Sequence, residues 1–248
     1  MGKSHVIDIW GETTADDGAT SAEAIFFPGA GRDPLSDELM AVRGHLLAVA
    51  GGAAGRAAAR AFIAALVPAY YAGGGGADGL RRAVADAEAA VADPAALDFV
   101  AAAIADSRLY LARAGGGRAY RVRGASVDPL ARATAPAGAA GPAFSLAVPL
   151  HDGDRVVLCS EAPAAALGDG RPLAYVAEQR APREAVTRLV ALARERGAAG
   201  DVSVVVAFVR GAPALGRGRA AVLLALGAAA VAALGWLAWE LIRFWQAG

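Results

Sequence analysis

A single cysteine, Cys159, in 248 residues excludes an internal disulfide framework and any cysteine-based zinc cluster. Lysine is as scarce: Lys3 stands alone and every other basic residue is arginine. Beside so much alanine and glycine, that bias reflects GC-rich coding rather than a demand for guanidinium chemistry. Neither charge is in excess, 24 acidic against 24 basic residues, which points away from nucleic acid as a partner. Met1 to Trp10 contains no apolar run of the signal-peptide kind, and Val6 stands where a myristoylation pattern needs Ser or Thr. Gly73 to Gly76 is not followed by G-K-[ST], Gly51-Gly52-Ala-Ala-Gly55 lacks dinucleotide-loop spacing, and no G-x-S-x-G elbow occurs. His5, His45 and His151 show no metal-ligand spacing.

What the chain does contain is short apolar runs punctuated by turn formers. His5 to Trp10 and Ala22 to Phe27 read as strands, with a polar turn at Asp16-Asp17-Gly18 between them. After a loop from Gly29 to Glu38, Leu39 to Val42 and His45 to Ala50 predict a hairpin around Arg43-Gly44. Arg56 to Tyr71 predicts a helix with Phe62, Ile63, Leu66 and Val67 on its apolar face. Asp78 is the expected cap of a second helix ending near Pro94. Asp98 to Ile104 and Arg108 to Ala112 form another hairpin around Asp106-Ser107, and Arg118 to Val122 a further strand. The Ala-, Gly- and Pro-rich segment from Ser126 to Pro142 is expected to be loop.

His151-Asp152-Gly153-Asp154 is a turn cluster leading into Arg155 to Cys159, a buried strand that delivers Ser160 and Glu161 to its C-terminal edge. Arg183 to Arg196 is an amphipathic helix with Val186, Leu189, Val190 and Ala193 facing inward, and Pro182 suits its first turn. The valines of Val202 to Val209 imply a strand buried on both faces.

Ala220 to Ile242 differs in kind. Its 23 residues carry one charge, Glu240, and no proline, and at about 1.5 Å per residue they span roughly 34 Å, enough for a hydrocarbon core. Trp236, Trp239 and Trp245 cluster at the far end as an interfacial belt does, and Arg210, Arg217 and Arg219 precede the segment. The expectation is a C-terminal single-pass anchor with the large domain cytoplasmic: domain 1–210, linker 211–219, span 220–242 and tail 243–248.

Five motifs, in order over residues 20 to 209, resemble the metal-dependent phosphatase 2C-type (PPM) family. Arg32-Asp-Pro-Leu-Ser-Asp37 is similar to R-x-x-N-E-D, with Ser36 in the place of Glu. Leu47 to Gly55 resembles V-A-D-G-x-G-G, with Gly51 in the place of the Asp that bridges two metals and Gly52 retained. Gly115-Gly116-Gly117-Arg118-Ala-Tyr120 is similar to G-D-S-R-x-Y, with Gly116 replacing the acid. Asp106-Ser107-Arg108 also reads D-S-R, but it fits the preceding hairpin turn. In L-x-S-D-G the Asp is Glu161 and the Gly is Ala162; in G-x-x-D-N-x-[ST] Asp201 is kept and Val202 replaces Asn.

The resemblance implies an α+β fold, a four-layer α-β-β-α sandwich of two antiparallel sheets with helices outside. It implies Arg32 as phosphate ligand and Asp37, Gly52, Glu161 and Asp201 as metal ligands for manganese or magnesium. Two hard cations held close together need several anionic oxygens, a bridging carboxylate above all. With Gly51 and Gly116 in acid positions, the expectation is a catalytically impaired, membrane-anchored binding or regulatory module in Ser/Thr phospho-signalling, with a phosphoprotein or kinase as partner. The alternatives are an active metal-dependent Ser/Thr phosphatase with a reduced site and a structural membrane protein that borrows the fold. An acid restored at Gly51 alone is expected to raise metal affinity.

Overall fold

The computed structural model describes residues 5–15, 23–28, 43–130, 142–144, 147–168 and 170–211. Eleven strands among them form two antiparallel sheets. The first sheet has the order β1 (His5–Thr14), β11 (Val202–Gly211), β10 (Arg155–Cys159), β6 (Arg118–Arg123), β7 (Ser126–Leu130). The second runs β2 (Ala24–Phe26), β3 (His45–Gly51), β4 (Asp98–Ala105), β5 (Arg108–Ala114), β8 (Ala143–Phe144), with β9 (Val148–Pro149) also on β5. Helices α1 (Gly55–Ala72) and α2 (Gly76–Ala89) cover the second sheet; α3 (Glu161–Leu167), α4 (Arg171–Glu178) and α5 (Pro182–Glu195) cover the first.

Alternation along the strands divides the apolar residues among three cores, because successive side chains point to opposite faces. Leu46, Ala48 and Ala50 of β3 pack beneath α1 with Phe62, Leu66 and Tyr70. Leu47 and Val49 meet Val156, Leu158, Val205 and Ala207 between the sheets. Val157 and Cys159, Val204 and Val206 face α5, whose Val186, Leu189, Val190 and Ala193 are buried as the periodicity predicts. Strands with near-continuous apolar sequence are therefore those covered on both faces. The expected α-β-β-α sandwich is what the described residues form.

Several local expectations are confirmed. Asp106 and Ser107 both take positive φ, 51° and 59°, in the two-residue turn joining β4 to β5, the backbone that suits the right-handed twist of a hairpin. D-S-R at 106–108 is therefore turn sequence. Pro182 is the first residue of α5.

Others are corrected. The segment from Ser126 is not all loop: β7 pairs along β6 as an edge strand that tolerates Pro129. β1 continues to Thr14, and it lies in a different sheet from β2. Arg43, placed in a hairpin turn, is helical, and β3 takes β2 and β4 as neighbours; 39–42 lie outside the described residues. The apolar stripe of α1 centres on Phe62, Leu66 and Tyr70, with Ile63 and Val67 only partly buried. Gly75, not Asp78, caps α2, which ends at Ala89; Asp78 sits in its first turn, where a carboxylate still suits the helix dipole. The segment Arg32–Asp37 and the apolar segment 220–242 lie outside the described residues. Among the described residues no helix is long and apolar enough to cross a membrane.

Candidate functional site

The end of β3, the start of β4 and the end of β10 open a cleft of about 150 Å3 at one end of the sandwich. Glu23, Asp98, Glu161 and Asp201 line it, with Gly51, Gly52, Gly117 and Ser160 among its backbone walls. The stretch His151 to Glu161 is held firmly at both ends. At its start, Asp154 is fully buried; it accepts two hydrogen bonds from Arg123, at 2.5 and 2.8 Å, and one from the His151 amide at 2.8 Å. At its end, Ser160 Oγ accepts from the Ser203 amide at 3.1 Å and Ser160 N–H donates to Ser203 O at 3.0 Å. β10 thus fixes where Glu161 begins α3.

Asp201 is presented by a loop that α5 gathers in. Arg194 in its last turn donates to Ala198 O, Gly200 O and Thr14 O at 3.1, 2.7 and 2.9 Å. The carboxylate of Asp201 accepts the Glu23 amide at 3.3 Å, so it satisfies backbone at the entry to β2. Strand register explains the rest. Gly51 pairs directly with Asp98, and Ala24 pairs with Ala50, which sets Glu23 next to Gly51 on the other side. Glu23 has its carboxyl pushed up to about 7. Burial is the main cause; the Ser203 and Ser160 hydroxyls oppose it, and the nearby Asp201 and Asp98 charges add to it.

Glycine positions carry the decisive geometry. A Cβ at Gly51 would lie 2.7 Å from Glu23 Cγ, and one at Gly116 would lie 2.5 to 2.7 Å from Glu161 Cδ, Cγ and Cβ. A Cβ at Gly115, already at φ +69°, would fall on Asp98 Oδ1. The glycine turn is pinned by Arg118, which donates to Gly116 O at 2.6 Å and Gly117 O at 3.0 Å, and by buried Arg113, which donates to Gly117 O at 3.1 Å. Burial, with the Arg118 charge beside it, lowers the Arg113 pKa. The carbonyl of Gly52, expected as a metal ligand, accepts Gly55 N–H at 3.2 Å.

Of the residues singled out in the sequence, the cleft therefore brings together Gly51, Gly52, Glu161 and Asp201, with Gly116 behind Glu161. Val202 is buried at the start of β11 opposite Thr14, away from solvent. Arg32, Ser36 and Asp37 lie outside the described residues. Glu23 and Asp98 were not anticipated. Their signal was an acid at each strand entry that flanks the end of β3, readable only once the register is known.

No protein-family model matches the chain, and no curated protein matches its sequence. Solved structures do. The serine/threonine phosphatase PstP of Mycobacterium tuberculosis shares 21% identity at a TM-score of 0.63, covering 83% of this chain and all of that one. The PstP catalytic domain with two manganese ions gives 22% and 0.62 at the same coverage. A PPM Ser-Thr phosphatase, MsPP from Mycobacterium smegmatis, gives 21% and 0.59, covering 80% of this chain and 97% of that one. The fold is that of the PPM Ser/Thr phosphatases.

A fold of this kind implies a manganese or magnesium pair, and the described residues do not fit one. The resemblance read in the sequence puts Gly51 where a bridging Asp is expected and Gly116 where another Asp is expected, and a Cβ at either would meet a glutamate side chain. Among the described residues no three Asp, Glu, His or Cys side chains are grouped to hold a metal ion. Asp201 and the Gly52 carbonyl accept backbone N–H groups.

Proposed function

We propose that this chain is a phosphatase 2C-like module impaired in hydrolysis, acting as a membrane-anchored binding or regulatory element in Ser/Thr phospho-signalling. The observation that carries the reading is glycine at 51 and 116, each with a glutamate stem in the room an acid there would need. A two-metal phosphatase places anionic oxygens between its cations so that attacking and leaving oxygens are both stabilised. Without them this chain's cleft offers four acidic side chains, a lining unfavourable to a phosphoryl group. A phosphoprotein or kinase would therefore engage the domain through a surface other than the emptied metal positions.

Anchoring rests on the apolar segment 220–242, and a cytoplasmic domain on the arginines before it. The balanced charge favours a protein partner over nucleic acid. A second reading, an active phosphatase with a reduced metal site, is favoured by the presence of Glu23, Asp98, Glu161 and Asp201 in the lining of one cleft.

Turnover of phosphothreonine peptides separates the two. The full-length chain in detergent, with manganese, with magnesium and with neither, is expected to show no metal-dependent hydrolysis above background. Robust metal-dependent turnover would make the second reading the right one.

A further inference from the structure

We infer that Gly51 and Glu23, and Gly116 and Glu161, are coupled pairs, each glycine making room for its glutamate. Side-chain packing, and not only the lack of ligands, then closes the cleft to a metal pair. This rests on the reading of the cleft as a site without that pair, and it replaces the expectation that an acid restored at Gly51 alone would raise metal affinity.

Real Cβ atoms essentially never come within 3.0 Å of another heavy atom, and the Gly51 position meets Glu23 Cγ at 2.7 Å. Glu23 is not a loose surface chain that swings aside. Its amide donates to Asp201, and burial beside the Ser160 and Ser203 hydroxyls surrounds its carboxyl. Gly51 has no positive φ, so the backbone itself would accept alanine or aspartate. Only the neighbour forbids it.

At Gly116 the obstruction is of another sort. Glu161 Cβ lies at 2.7 Å, beside Cγ at 2.6 Å and Cδ at 2.5 Å. That Cβ is fixed by the backbone at the first residue of α3, directly after the Ser160 hydrogen bonds to Ser203. Shortening Glu161 to alanine leaves the clash; only glycine removes it.

Thermal melts of the full-length chain in two double-mutant cycles read these couplings. Gly51→Ala is expected to lower Tm by about 3–8 °C, the consequence of overpacking, and to have no such effect when combined with Glu23→Ala. Gly116→Ala is expected to lower Tm similarly, to remain low with Glu161→Ala and to recover with Glu161→Gly. Additive melts in the first cycle, or rescue of Gly116→Ala by Glu161→Ala, would overturn the inference. Manganese titration by electron paramagnetic resonance supplies the readout beyond packing. Gly51→Asp alone should bind no better than the parent, and Glu23→Ala/Gly51→Asp at least about tenfold tighter, the scale on which even the groups that orient a metal's ligands act. A gain from Gly51→Asp alone equal to that of the double variant would also overturn it. Phosphopeptide turnover by the parent alongside coupled melts would refute the functional reading and leave the packing intact.

Discussion

Glu23 is an acid whose ionisation is coupled to folding. Its carboxyl, pushed up to about 7 from an ordinary 4.5 mainly by burial, holds a proton in the folded chain that the unfolded chain releases. Between about pH 4.5 and 7 the native state therefore binds the extra proton, and stability falls as pH rises through that window. The loss is up to about 3 kcal/mol. Urea midpoints of the parent should drop between pH 5 and 8 by more than those of Glu23→Gln, which cannot ionise. Identical pH profiles for the two would remove the burial argument. Neither Glu23 nor Asp98 was legible in the sequence, because an acid at a strand entry looks like any solvated end. Asp201 and Glu161 were legible from motif spacing, and Arg32 and Asp37 lie outside the described residues.

At the scale of elements, β10 and the turn before it organise the middle of the molecule. Val157 is fully buried, pairing with Val206 on one side and Tyr120 on the other. A charge there has no partner and costs several kcal/mol, comparable with a domain's whole stability of about 5–15 kcal/mol. Val157→Asp should abolish the cooperative melt, and a variant melting within a few degrees of the parent would refute the packing described. Arg123→Ala should cost about 3 kcal/mol, because it strips the fully buried Asp154 of its only ion pair with arginine among the described residues; denaturant melts measure it. Unbroken apolar runs such as Val202 to Val209 and the Asp106-Ser107 turn could be read directly, since length and turn chemistry are local. β7 was hidden by Asp128 and Pro129, which an edge strand accepts. The helix at 161–167 was hidden by alanine, which leaves little periodicity to see, and the eight residues of 171–178 are too few to show a repeat beyond the buried pair Leu173 and Val176.

At the scale of the whole molecule, two sheets and five α-helices among the described residues enclose three apolar layers with the cleft at one end. β11 runs from Asp201 at that cleft to Gly211, whose amide donates to Asp152 at 2.7 Å. Ten residues at about 3.3 Å each put the chain's exit roughly 33 Å away. A chain ending at Gly211 should partition to the soluble fraction while the full-length chain sediments with membranes; retention of both would refute the C-terminal anchor. The sandwich itself was legible only through motif order, since the hairpins and helices taken alone indicate no more than α+β. That this cleft takes no metal pair is tested most directly by counting manganese ions bound to the full-length chain in an equilibrium titration followed by electron paramagnetic resonance. The account predicts no tightly bound pair at micromolar manganese; two ions per chain in that range would contradict it.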